Sequence, residues 1–201
     1  MKLIIITAEN LFDGEASVLN HLFDAGMEIL HLRKPSSSEN EIRELLSQVD
    51  TKYHQRIVLH DHYFLADSFD VKGIHLNSRN AIPNMESMRI TSRSCHTFEC
   101  IGQSSDLDYV FLSPIFDSIS KVGYKQAFSH EQLTDAKKKG IINERVIALG
   151  GIDTNTIPLA ANYGFGGVAA LGSLWQNFVK DKDENALSER FENLQKISNK
   201  Q

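Results

Sequence analysis

Cysteine is scarce in this chain of 201 residues: there are two, Cys95 and Cys100, too few and too close together to suggest a disulfide framework. No CxxC pair occurs, which excludes a zinc ribbon as the organising element. A reducing compartment fits that usage. Lysine and arginine never gather into a basic patch, and the formal net charge is −5, so nucleic acid is not expected as a partner. The densest cationic run, Lys137 to Lys139, stands just before Gly140 at the end of a helical segment, where cations complement exposed carbonyls. Long apolar runs are missing too. The opening MKLIIIT turns polar at Glu9 and Asn10, too soon for a signal peptide or a membrane span. A buried first strand is expected instead, in a cytoplasmic protein with no membrane partner. No internal repeat or low-complexity tract stands out, and no GxGxxG turn follows the first strand, which argues against an open dinucleotide-binding sheet.

What remains is ordinary globular chemistry, 41% hydrophobic and 23% charged, in a length for which one domain over residues 1–201 is the default. Apolar runs of four to six residues recur, each followed by polar turn residues and a segment of helical period. Strands are expected at 3–7, 29–33, 57–60, 73–76, 89–95, 109–113, 146–149 and 167–171. Helices are expected at 15–25, 39–49, 63–69, 130–139 and 154–163, with weaker segments near Met85 and Phe98 and a closing helix at 184–197. Near-continuous apolar strands alternating with helices mean a parallel sheet covered on both faces. Eight such units in this length predict a single compact (β/α)8 TIM barrel.

In that architecture the active face lies at the C-terminal ends of the strands. Several polar residues fall there: His31 and Arg33 after the second run, His60 and Asp61 after the third, Ser94 and His96 around the end of the fifth. Side chains alternate along a strand, so His31 shares a direction with Arg33, and Ser94 with His96. The same alternation argues against a transition-metal site in the triplet His60-Asp61-His62, and His75, inside its strand, reads as a structural histidine. Two glycine turns, Leu149-Gly150-Gly151 and Leu171-Gly172-Ser173, end the last two strands, where barrels commonly cradle phosphate on freed backbone amides. Glycines that merely permit tight turns are the alternative. Ser118, Ser120 and Lys121 offer hydroxyls and a cation on the loop after the sixth strand.

Taken together, HLRK, GIHL, SRSCHTFE, DYVFLSPIFDSISK, VIALGGID and GVAALGSL resemble the thiamine phosphate synthase and TenI-like superfamily over nearly the whole chain. The resemblance implies thiamine biosynthesis on a small (β/α)8 barrel. Synthases of that family join a hydroxymethylpyrimidine diphosphate to a thiazole phosphate and release pyrophosphate, with magnesium neutralising the leaving group. By position, Arg33 then holds the diphosphate, Ser94 and Lys121 contact it, and Ser118 and Ser120 stand near the phosphates. Asp61 helps to bind Mg2+, and Gly151, Leu171 and Gly172 cradle the thiazole phosphate. His31 and His60 complete the substrate-binding set.

This chain departs from the synthase pattern at instructive places. Where that pattern has Q-x-R-x-K, the chain reads His31-Leu32-Arg33-Lys34-Pro35, with Lys34 expected to point elsewhere. His60 replaces an asparagine before Asp61, and Asn80 stands where a second magnesium aspartate falls, so the metal site is expected to be weak. These departures resemble the TenI-like thiazole tautomerases, whose histidine after strand five matches His96. Accordingly the leading expectation is a tautomerase with His96 as base, aided by Ser94 and Arg33. Thiamine phosphate synthase is the alternative, and a non-catalytic phosphate-binding regulator a third reading. A homo-oligomer is left open.

Overall fold

Most strands of this chain are apolar on the face toward the helices, whereas the fifth, Ile-Thr-Ser-Arg-Ser-Cys, is largely polar. The computed structural model describes residues 1–78, Asn80, 89–117 and 125–201. Among these, β1 (Lys2–Ile6), β2 (Ile29–Leu32), β3 (Ile57–Leu59), β4 (Gly73–Leu76), β5 (Ile90–Cys95), β6 (Tyr109–Leu112), β7 (Val146–Leu149) and β8 (Gly167–Ala170) pair in parallel, in chain order, as a closed barrel. The final pairing sets Lys2 to Ile5 of β1 against Gly167 to Ala170 of β8. Alternation then sorts the side chains. Ile4 and Ile6 point inward with Tyr109, Phe111, Ile147 and Ala169, while Ile5 faces the outer layer of helices.

That outer layer comprises α1 (Glu15–Asp24), α2 (Glu39–Gln48), α3 (Leu65–Phe69), α4 (Phe98–Gly102), α5 (His130–Lys138), α6 (Ile157–Asn162), α7 (Gly172–Trp175), α8 (Phe178–Asp181) and α9 (Glu184–Ser198). Ser38 with Glu41 and Ser129 with Gln132 form capping boxes that start α2 and α5. Each satisfies helix N–H groups that would otherwise lack a partner. As expected, α9 closes the fold. It buries Leu187, Phe191 and Leu194, each such side chain contributing about 1.5–3 kcal/mol on removal from water. The indole N–H of Trp175 donates to the carbonyl of Ile6 at 2.7 Å, tying α7 to the end of β1.

Five strands stop one residue before the span expected from apolar runs, because loop contacts begin there. At the end of β1, for example, Thr7 Oγ1 accepts the Arg33 backbone N–H at 3.0 Å and donates to the Arg33 carbonyl. α6 starts at Ile157 rather than 154, since Asp153 accepts the N–H groups of Asn155 and Thr156 and makes a turn of those residues. A 3-10 turn at Thr51–Arg56 and the short helices α7 and α8 have no counterpart in the periodicity, which is blind to segments this short. The segment near Met85 lies outside the described residues.

Lys34 is 1% exposed and does point away from the mouth, as expected. Its ammonium donates to the carbonyls of Ala8 and Asn10 at 2.7 and 2.9 Å and lies 2.6 Å from the Glu15 carboxylate. Burial pulls the lysine pKa down and pushes that of Glu15 up, and each charge opposes the other's shift. Lys34→Met strands the carboxylate, with an expected loss of about 3–5 kcal/mol in urea denaturation. Adding Glu15→Leu should restore part of that loss; a single variant as stable as wild type would show the pair to be dispensable.

Candidate active site

Strand register brings together most of the residues singled out above. His31 pairs with Val58 and Val58 with Gly73, so His60 and His75, each two residues further along, stand side by side one step above His31. All three rings point into the barrel. His31 Nδ1 is 2.8 Å from His60 Nε2, and His31 Nε2 is 2.6 Å from the Tyr109 hydroxyl. The rings of His60 and His75 stack at 4.1 Å. The two nitrogens of His75 meet Ser92 Oγ and Ser94 Oγ at 2.8 and 2.9 Å, the buried, satisfied role expected of it. The barrel interior therefore has an apolar sector on β1 and β6–β8 and an imidazole–hydroxyl sector on β2–β5.

This arrangement changes how His31 is read. It is wholly enclosed among His60, His75, Tyr109 and Phe111, so it supports the floor of the site rather than the mouth. Burial, with a smaller contribution from His75, holds its pKa well below the usual histidine value, and the ring stays neutral. Burial likewise pushes the Tyr109 phenol up. Ser94 faces inward as expected, but its described partner is His75 rather than His96. His96 is exposed beyond β5 and donates through Nδ1 to the Ser113 carbonyl at 3.0 Å. That bond fixes the neutral tautomer with its lone pair on Nε2.

Arg33 leaves the end of β2 with its side chain 22% exposed, its guanidinium 3.1 Å from Glu9. A half-exposed pair of this kind is a weak anchor, so the cation is available to an anion at the mouth. Nothing in the spacing marked Glu9 as the partner of Arg33; only its position after β1 connects them. Asp61 Oδ1 accepts the Asn80 amide N–H at 2.9 Å, and Asn80 donates as well to the His60 carbonyl. Magnesium requires hard oxygen donors in near-octahedral array. Here Asn80 turns an N–H toward the carboxylate, so these residues do not fit a preformed magnesium site.

The glycine turns leave β7 and β8 at one level, because Leu149 pairs with Ala169 and Gly151 and Leu171 each follow two residues later. Gly151 has φ +64°, and a Cβ there would lie 2.7 Å from Phe116 Cβ and against the Asp117 carbonyl. Close packing under the loop after β6 thus demands glycine whether or not a phosphate binds. Gly172 opens α7 directly after Leu171. Ser118, Ser120 and Lys121 lie outside the described residues, just past Asp117. The expectation for the two cysteines is corrected: Cys95 at the end of β5 and Cys100 in α4 are joined as a disulfide, with Cα atoms 5.5 Å apart. Sequence proximity argued against a framework of bridges but not against one local link, which the turn into α4 permits.

A closed parallel barrel with its polar residues gathered at one end of the strands is the architecture of barrel enzymes. The particular family follows from comparison: its sequence profile, thiamine monophosphate synthase, matches residues 3–174, and the chain belongs to that family. The solved structure of thiamine phosphate pyrophosphorylase from Bacteroides thetaiotaomicron superposes with a TM-score of 0.88 at 37% identity, covering 99% of this chain and 98% of that one. Thiamine-phosphate synthase of Halalkalibacterium halodurans is 26% identical over 177 residues, 78% of this chain and 79% of the relative. That of Clostridium tetani is 23% identical over 184 residues, 86% and 87% respectively. Among the described residues no helix is long and apolar enough to cross a membrane.

Arg33→Ala should leave the melting temperature within about 1–2 °C of wild type, because an exposed ion pair contributes roughly 0–1 kcal/mol. Pyrophosphate affinity, measured by calorimetry, should fall about tenfold or more, the worth of a charge-assisted hydrogen bond. A large loss of stability with unchanged affinity would make Arg33 a structural residue.

Proposed function

We propose that this protein is a thiamine phosphate synthase, a transferase that joins hydroxymethylpyrimidine diphosphate to thiazole phosphate with release of pyrophosphate. The observation that carries this reading is the family match through both the β2 end and the glycine turns, the two regions to which the diphosphate and the thiazole phosphate are assigned. Arg33 binds the diphosphate, with Ser94, Ser118, Ser120 and Lys121 as further contacts. The amides around Gly151, Leu171 and Gly172 hold the thiazole phosphate. Holding both partners in one mouth supplies orientation, and cationic groups stabilise the charge gathering on the departing pyrophosphate. Magnesium would enter only with pyrophosphate, whose oxygens supply donors that Asp61 and Asn80 do not offer on their own. His60, beside His75 in the layer above His31, braces the ligand floor.

This places the synthase ahead of the tautomerase expected from the departures at Pro35 and Asn80. One observation keeps the second reading in play: His96 is exposed with Nε2 as its basic nitrogen, the form a proton shuttle needs. Supplying both substrates and following thiamine phosphate and pyrophosphate tests the first reading, and no product from wild type would remove it. Asn80→Asp with Pro35→Lys should raise the rate. His96→Asn should leave synthase turnover within about threefold while lowering any isomerisation of thiazole carboxylate phosphate by about 10²–10⁴-fold. Wild type that isomerises this compound but makes no thiamine phosphate would install the tautomerase instead, and phosphate binding without either turnover the regulator.

A further inference from the structure

We infer that His31, His60 and His75 form an all-nitrogen site for a divalent transition-metal ion of the zinc class, set in the barrel interior below the mouth. The three residues come from adjacent strands, each is at most 4% exposed, and one ring nitrogen from each lies within 4.8 Å of the other two. Imidazole nitrogen suits zinc, copper and nickel, while magnesium prefers oxygen, so this site is chemically distinct from Asp61. The alternation that argued against the triplet His60-Asp61-His62 holds, since His62 turns away to the Ser37 carbonyl at 2.8 Å. It does not apply across strands, where inward positions converge.

A further feature matches what metal-ligating histidines require: they are held by a hydrogen bond from the second ring nitrogen. With Nδ1 turned to the ion, His31 donates from Nε2 to the Tyr109 hydroxyl 2.6 Å away. His75 keeps either Ser92 or Ser94 as its holding partner, whichever nitrogen ligates. A tetrahedral ion with Zn–N bonds of about 2.0–2.1 Å sets its ligand nitrogens roughly 3.3 Å apart. Binding therefore opens the 2.8 Å contact of His31 with His60 slightly and tilts His75 out of its stack with His60. His60, at 4% the most exposed of the three, leaves the fourth position to water or ligand.

The test reads metal binding without turnover, so it stands or falls apart from the synthase reading. Chelator-treated protein titrated with Co2+ should take up one equivalent, with the visible spectrum of a tetrahedral nitrogen site, and Zn2+ should displace it. His60→Asn and His75→Gln should each weaken Co2+ binding by at least about 100-fold, and Tyr109→Phe by about 10–100-fold. Asp61→Asn should leave the spectrum in place. Circular dichroism checks that each variant is folded, and X-ray absorption on zinc-loaded wild type, which needs no variant, should count three imidazoles. Absence of saturable Co2+ binding in wild type, an oxygen-dominated zinc shell, loss of the band in Asp61→Asn, or a band that survives both histidine changes would each overturn the proposal.

Discussion

The pairing of β1 with β8 is the contact on which the rest of the molecule depends. Lys2, Leu3, Ile4 and Ile5 meet Gly167, Val168, Ala169 and Ala170, residues far apart in the chain, and this ladder removes the last open edges of the sheet. It brings strand backbones close enough that a Cβ on Gly167 would sit 2.8 Å from both the Lys2 carbonyl and the end of Ile147. Only after closure does an interior exist. Ile4 and Ile6 then gain Ile147 and Ala169 as neighbours, and the Trp175 indole reaches the Ile6 carbonyl to lock the seam from outside.

Closure also gives the mouth its chemistry. Residues that are remote in sequence gather at the mouth because the strands that carry them are in register, which is how Arg33, Ser94 and the glycine turns share a face while His60 and His75 stay buried. The buried Lys34–Glu15 pair does related work beside it. By holding the carbonyls of Ala8 and Asn10, Lys34 shapes the loop that presents Glu9 to Arg33. The residue adjacent to Arg33 thus serves the scaffold, whereas the arginine itself keeps part of its side chain in solvent.

Much of the fold was legible because apolar period and turn residues act locally. The strand positions, the closing helix and the barrel itself followed from that, with ends shifted where loop side chains compete for backbone groups. Short elements such as α7, α8 and the 3-10 turn were not legible, since fewer than two helical turns leave no period to see. Within the site, alternation put His31 on the inward face correctly. It could not say how deep that face lies, and so His31 was expected at the ligand rather than enclosed beneath it. The roles of Tyr109 and Glu9 depend on contacts across strands, which a linear pattern does not encode. The Cys95–Cys100 link was missed for a different reason: the spacing of two cysteines says little until the backbone between them turns.

The division of the barrel interior into an apolar and an imidazole sector has a consequence for how this sequence can diverge. In the apolar sector, a change such as Ile to Val at Ile4 or Ile147 removes a methyl group, at a typical cost of about 0.5–1.5 kcal/mol, and leaves no polar group without a partner. In the imidazole sector, His31, His60, His75, Ser92 and Ser94, with the Tyr109 hydroxyl reaching in from β6, share donors and acceptors, so replacing one strands another in a dry environment. Substitutions there are expected to be epistatic, because a change at His31 or His60 alone removes a hydrogen-bond partner from its neighbour. The interior acts as a ratchet, with one half open to small apolar steps while the other holds a combination that single steps cannot easily undo.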